Sequence, residues 1–326
     1  MARGALRPPE PPSEPAGRPT AREPEEAPMS CRPWFRATLR SSLTWLLVLL
    51  FTQGLAQGTV TDDLGRDVTL DVPATRIVSM IPTHTEKVCA LGACDRLVGV
   101  DMFSNYPSEV QALPSLGSAF EADVEALVAL DPDLVLTDEY SGLHDVLEPL
   151  GIAVYVGTPQ TVDEVWQVTR DVATLLGRQD EAEALIRDAI ARVDALSERV
   201  AMGASPGVFV ELDPSPYSVG PQSYLGELLT LAGGANVVAA ELGAFPLVDP
   251  EYIVAQDPDV LLLLDAPFGE SAETVRARPG WRALSAVAEG AIIEFTQPQV
   301  DLLNRAGPRL PEALELLIDV LEEYRR

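Results

Sequence analysis

The residues with most chemistry to offer lie in short polar loops rich in aromatics. They are Asp101-Met102-Phe103-Ser104-Asn105-Tyr106-Pro107, Ser118-Ala119-Phe120, Asp138-Glu139-Tyr140, Pro214-Ser215-Pro216-Tyr217-Ser218 and Gly243-Ala244-Phe245-Pro246. Each falls just after a predicted strand or just before a predicted helix. In doubly wound α/β architectures ligands gather at these carboxyl ends of strands. Aromatic rings facing each other across a cleft suit a large, partly apolar ring system. Any one of these residues is also explained as packing at a loop base; the joint placement carries the binding reading. Machinery for catalysis is missing: GxSxG, HExxH, GxxxxGK[ST] and GxGxxG do not occur. Two histidines, His84 and His144, offer little for acid-base work or zinc. His84, just ahead of a predicted helix, reads as a structural residue of the cap region.

A second set of carboxylates is marked by an internal repeat. Asp123-Val124-Glu125-Ala126-Leu127-Val128-Ala129-Leu130-Asp131-Pro132-Asp133-Leu134-Val135-Leu136 is echoed by Asp249-Pro250-Glu251-Tyr252-Ile253-Val254-Ala255-Gln256-Asp257-Pro258-Asp259-Val260-Leu261-Leu262. Both copies read as an acidic N-cap, a first-turn Glu, a two-turn apolar helix, a proline stop and a buried strand. Glu125 and Glu251 thus occupy equivalent places. A first-turn Glu also favours the helix macrodipole, by about 0.3–1 kcal/mol.

These loops and helices need a scaffold. After a hairpin over Val60 to Asp71, strands at 76–81, 97–100, 134–136 and 152–156 alternate with helices at 84–91, 123–130 and 142–150, which predicts a parallel, helix-covered sheet. From Thr161 to Val200 the pattern is helical, interrupted at Gly177-Arg178. A second series follows: strand 207–212, helix 222–232, strands 260–264 and 291–295, and helix 308–324. The fold class is therefore α/β, with two Rossmann-like lobes, each with a central parallel sheet, joined by a single long rigid helix. The boundaries are 59–178 for the N-terminal lobe, 179–203 for the connecting helix and 204–326 for the C-terminal lobe.

Residues 1–56 differ from the rest. Arg32, Arg36 and Arg40 precede an apolar run from Leu43 to Leu50, and Gly54-Leu55-Ala56 makes a small-x-small cleavage pattern. This predicts a Sec signal peptide and a periplasmic or extracytoplasmic protein. Residues 1–28 are rich in proline and charge and read as a disordered leader, with Met29 the expected start. Cys31 lies on the wrong side of the apolar run for a lipid anchor, so a free protein and not a lipoprotein is expected. Residues 57–326 carry 45 Asp and Glu against 16 Lys and Arg. A surface this acidic repels nucleic acid and anionic membranes. Of the three cysteines, Cys89 and Cys94 remain. An oxidising compartment permits a disulfide between them across a helix end at Gly92, whereas near neighbours on a helix often point apart, favouring two buried thiols. Neither CxxC nor zinc spacing occurs.

At these residues the chain resembles the helical-backbone (class III) substrate-binding proteins of ABC importers, which bind cobalamin, haem and ferric siderophores. The resemblance covers nearly all of residues 59–326. It is carried by Val60-Thr61-Asp62-Asp63-Leu64-Gly65-Arg66, Arg76-Ile77-Val78-Ser79, Thr85-Glu86, Ala90-Leu91-Gly92, Leu225-Gly226-Glu227-Leu228, Ala232-Gly233-Gly234-Ala235-Asn236-Val237 and Arg305-Ala306-Gly307-Pro308-Arg309-Leu310. The resemblance implies a non-enzymatic, monomeric transport component holding a small metal chelate between its lobes, with no cofactor or metal of its own. It further implies that Glu125 and Glu251 dock on the two subunits of a permease dimer. Residues matching the cobalamin cleft are Phe103, Phe120, Tyr217 and Phe245, with Asp301 and Arg305 as polar contacts; Tyr140 joins them from the loop pattern. Phe120 stands one position off the matching tryptophan, where this chain has Ala119. A cobalamin-type corrinoid is the expected ligand. Haem, with Tyr106, Tyr140 or His84 available to iron, is the alternative, followed by a ferric siderophore. A ligand sensor and a divergent enzyme are the competing classes.

Overall fold

The computed structural model describes residues 58–200 and 203–325. The expected signal peptide and leader, with Met29 and Cys31, lie outside the described residues. Among the described residues no helix is long and apolar enough to cross a membrane. The hairpin opens the fold as β1 (Gly58–Thr61) and β2 (Asp67–Leu70), antiparallel with Thr61 opposite Asp67. Its turn is held by Asp62, whose Oδ1 accepts from the Leu64 and Arg66 N–H groups at 3.1 and 3.0 Å.

In the N-terminal half the order is β3 (Ile77–Ser79), α1 (Pro82–Ala90), β4 (Leu97–Val100), α2 (Val124–Ala129), β5 (Leu134–Thr137), α3 (Leu143–Leu147) and β6 (Ala153–Val156). The strands form one parallel sheet in the order β4-β3-β5-β6. Every residue of β3 and β5 is buried, as expected of strands covered on both faces.

Two long helices follow, α4 (Val162–Leu176) and α5 (Gln179–Glu198). Thr161 and Glu164 form a capping box at the start of α4, and Gly177 ends it in the left-handed conformation, φ 65°. Both helices contact both cores. Val168, Val172 and Leu176 of α4 and Ala182 of α5 join the N-terminal core. Val165 and Trp166 of α4 and Ile186, Ala189 and Leu196 of α5 join the C-terminal one. The long connecting helix expected from the sequence is therefore braced by its predecessor.

The C-terminal half runs β7 (Gly207–Asp213), β8 (Tyr217–Ser218), α6 (Tyr224–Leu231), β9 (Ala235–Asn236), α7 (Pro250–Gln256), β10 (Val260–Leu263), α8 (Ala272–Ala277), α9 (Ser285–Glu289), β11 (Ile292–Glu294), α10 (Gln297–Asn304) and α11 (Leu310–Leu321). Its sheet has the order β11-β10-β7-β8, with β9 also on β7; β8 alone is antiparallel. Helices α8 to α10 and strands β8 and β9 go beyond the sequence reading, because such short elements show little periodicity.

The repeat is written into the backbone. Asp131 and Asp257 are the non-glycine residues with positive φ among those described, at 49° and 46°. The aspartates two positions on fasten the following strand to its neighbour. Asp133 accepts from the Thr75 N–H at 2.9 Å and the Arg76 N–H at 3.1 Å, just before β3. Asp259 accepts from the Gly207 N–H at 2.7 Å, at the start of β7. Asp-Pro-Asp thus ends a helix and sets a strand in both halves.

Cys89 and Cys94 are bonded, with Sγ atoms 2.07 Å apart, so the reading of two separate thiols gives way to the disulfide. The reason is local: the helix ends at Ala90, and Gly92, at φ 71°, turns the chain back. The Cα atoms of the pair come within 4.1 Å.

Candidate functional site

A cavity of about 370 Å³ lies between the two halves. Ile81 and Thr83 at the start of α1, Asp138 and Tyr140 after β5, and the 157–160 segment after β6 supply one wall. Leu212 and Tyr217 around the β7–β8 turn, Tyr224, Phe245, Asn304 and Ala306 supply the other. All the N-terminal strand ends concerned are carboxyl ends, as the sequence led us to expect. Among the described residues, no Arg, Lys or His lines this cavity.

Local chemistry fixes each aromatic. Asp138 Oδ1 accepts from the Tyr140 N–H at 3.1 Å, an Asx turn that presents the ring, which stays 64% exposed. A hydrogen bond with Glu139 raises the Tyr140 phenol pKa, with burial and the Glu139 charge adding to it. Burial raises the Asp138 carboxyl. On the other wall the Phe245 loop is seated by backbone bonds from Ser218 N to Pro246 O (2.9 Å) and from Gly220 N to Ala244 O (2.7 Å). Glycine is required at 220 because a Cβ there would meet the Gly243 carbonyl oxygen at 1.9 Å. The Phe245 and Tyr224 rings tilt together, centroids 6.1 Å apart. Tyr224 is buried, donates from Oη to Leu303 O at 3.2 Å, and was missed by the sequence reading because it falls inside a predicted helix.

Tyr140, Tyr217 and Phe245 therefore come together. Phe103 and Phe120 do not line the cavity; they stand exposed, 57% and 71%, on the N-terminal half. Asp301 and Arg305 have a different occupation. The Arg305 Nη1 donates to Glu86 Oε1 at 2.8 Å and to Asn105 Oδ1 at 2.9 Å, and its Nη2 donates to Phe103 O at 3.2 Å and pairs with Asp301 at 3.0 Å. Asp301 also accepts from Asn105 Nδ2 at 2.7 Å. Arg309 meets the same Glu86 twice, at 2.7 and 2.6 Å, and lies over the Tyr106 ring. Beside them the buried Lys87 donates from Nζ to Ala306 O at 2.5 Å. Burial pushes this amine down to about 7, against the pull of Glu86. The two arginines are thus held in a latch between the halves.

Of the iron-ligand candidates, only Tyr140 lines the cavity. His84 is fully buried, with Nε2 on the Thr137 carbonyl at 3.1 Å; burial, reinforced by Lys87, pushes it down to about 3. Tyr106 lies outside the cavity, with the Arg309 guanidinium over one face of its ring. Among the described residues no group of three or more His, Cys, Asp and Glu side chains could hold a metal. Glu125 and Glu251 are exposed in the first turns of α2 and α7, behind capping aspartates: Asp123 accepts from Ala126 N at 2.9 Å and Asp249 from Glu251 N at 2.8 Å.

Two α/β lobes joined by paired helices, with an aromatic cleft between them, define a bilobal solute-binding protein. Residues 77–298 match the family model described as periplasmic binding protein, and the chain belongs to that family. Its members are substrate-binding components of transporters and not enzymes. The chain is 30% identical over 272 residues to an uncharacterized ABC transporter substrate-binding lipoprotein, YvrC, of Bacillus subtilis, covering 80% of this chain and 84% of that one. It is 30% identical over 259 residues to a cobalamin-binding protein of Halobacterium salinarum, covering 76% and 69%. Among solved structures, the apo periplasmic heme-binding protein RhuT of Roseiflexus aligns with a TM-score of 0.65 at 28% identity, covering 76% of this chain and 98% of that one.

Proposed function

We propose that this protein captures a cobalamin-type corrinoid outside the cytoplasmic membrane and delivers it to an ABC permease dimer. The observation that carries the reading is one cavity walled by Tyr140 from one half and by Tyr217 and Phe245 from the other. Opposed aromatic faces favour a broad, flat ligand with apolar area, and polar neighbours such as Thr83, Gln160 and Asn304 suit amide side chains. The likeness to the halobacterial cobalamin-binding protein supports the same ligand. Haem is the second reading, favoured by the Roseiflexus relative and by the Tyr140 phenol in the cleft. Phe103 and Phe120 would extend the N-terminal wall around a ligand larger than the cavity. We take 59–178, 179–203 and 204–326 as lobe, connector and lobe, a division supported by the split of apolar contacts along α4 and α5.

The protein acts as a monomer that docks through Glu125 and Glu251, a role supported by their exposure and by their equivalent places in the repeat. The export signal read in residues 1–56 supports an extracytoplasmic site. The Bacillus relative is called a lipoprotein, so the mass of the mature N-terminus is the measurement that decides between free and anchored forms. Titration with cyanocobalamin and with haemin, following heat and visible absorbance together, tests the ligand. One-to-one cobalamin binding is expected; a haemin Soret shift with no cobalamin heat would transfer the assignment to haem. Replacing Glu125 and Glu251 by Ala together is expected to abolish uptake in cells while leaving ligand affinity unchanged. Uptake at the original rate would remove these residues from docking.

A further inference from the structure

We infer that the cleft selects its ligand by charge, taking neutral or cationic metal chelates and rejecting those with exposed carboxylates or other anionic groups. The inference rests on the reading that this cavity is the ligand site. An anionic chelate is held most strongly by cationic side chains. Among the described residues none lines the cavity. The nearest cations are Lys87, Arg305 and Arg309, and Lys87 is the single lysine of the chain. Arg305 and Arg309 are spent on Glu86, whose side chain is 1% exposed, and Lys87 is fully buried on the Ala306 carbonyl. Turning either arginine toward a ligand would weaken the pairing of a buried carboxylate.

Several backbone donors after β5 and β6 are committed to the protein's own oxygens. The Thr158 N–H donates to Asp63, the Gln160 N–H to Glu164 Oε2 at 2.8 Å, and the Tyr140 N–H to Asp138 at 3.1 Å. The Glu139 N–H is taken by the Thr158 hydroxyl at 3.0 Å. Asp138 lines the cavity, and Asp63 and Glu164 accept from the N–H groups of its 158 and 160 positions, so that this wall carries acidic and not basic side chains. A chain of net charge −27 repels anions at longer range as well.

Ligand pairs that differ chiefly in charge test this directly, using the purified protein and quenching of its tryptophan fluorescence. The pairs are cyanocobalamin against a monocarboxylic acid derivative in which one propionamide is hydrolysed, and haemin dimethyl ester against haemin. In whichever pair binds, the uncharged member is expected to bind at least tenfold more tightly. Gln160→Arg, which places a cation on the wall, is expected to shrink that ratio at least tenfold without loss of the thermal midpoint. Equal or tighter binding of the carboxylate member in wild-type protein would overturn the charge inference while leaving the cleft as the ligand site. If no member of either pair binds, the ligand reading itself fails and takes the inference with it.

Discussion

Asp265 sits at the end of β10, 2% exposed, with no hydrogen-bond partner for either carboxyl oxygen. Its neighbour Glu211 is fully buried and held at both oxygens by Arg278, at 2.5 and 2.6 Å. Burial first, then the Glu211 charge, raises Asp265 to about 8 from 3.8. Between these values the folded protein holds a proton that the unfolded chain releases, so this stabilisation is complete below about pH 4 and is lost as pH rises through about 8. His84 and Lys87, both pushed down by burial, titrate in the opposite sense, so the readout is the difference between variant and wild type. The thermal midpoint of Asp265→Asn is expected to gain on wild type as pH rises from about 4 to about 8, and a difference that stays constant with pH would assign the pH dependence elsewhere. Single residues were unevenly legible in the sequence. Tyr140, Tyr217 and Phe245 could be found because their loops fall just after a predicted strand or just before a predicted helix, which local patterning reveals. Arg305 was read as a ligand contact because its partner Glu86 lies 219 positions away, where no local pattern reaches.

At the level of elements, the Asp-Pro-Asp copies explain why the repeat is visible in the sequence. They end a helix with a left-handed aspartate and tie down the next strand, and both steps depend on short, fixed spacings. Asp133→Ala removes bonds to the Thr75 N–H and hydroxyl and to the Arg76 N–H. Loss of such charge-assisted bonds costs about 1–3 kcal/mol. Denaturant unfolding of Asp133→Ala is expected to show a loss of that size, and Asp259→Ala a smaller one, since a single bond is recorded there. Equal stability in wild type and Asp133→Ala would mean that the aspartate is not fastening the strand. Thr161→Ala, at the capping box of α4, is expected to cost about 1 kcal/mol. What stayed hidden were α8 to α10, of five to eight residues each, whose positions are set by packing, of α8 on β11, α9 on β10 and α10 on α11, and not by their own periodicity.

For the whole molecule, the alternation of strands and helices made both sheets and the connecting helix readable, while the way the halves are held together was not. Glu86 and Lys87 on α1 meet Arg305, Ala306 and Arg309 between α10 and α11, and α4 and α5 reach both cores. These contacts tie the two halves to each other beside the cleft. The most direct test of the account is calorimetric titration of the protein with cyanocobalamin, repeated for Tyr140→Ala, Tyr217→Ala and Phe245→Ala at matched thermal midpoints. Stacking losses of about 0.5–1.5 kcal/mol correspond to roughly twofold to twelvefold weaker binding for each variant. Binding by all three variants at wild-type affinity would place the ligand somewhere other than between the lobes.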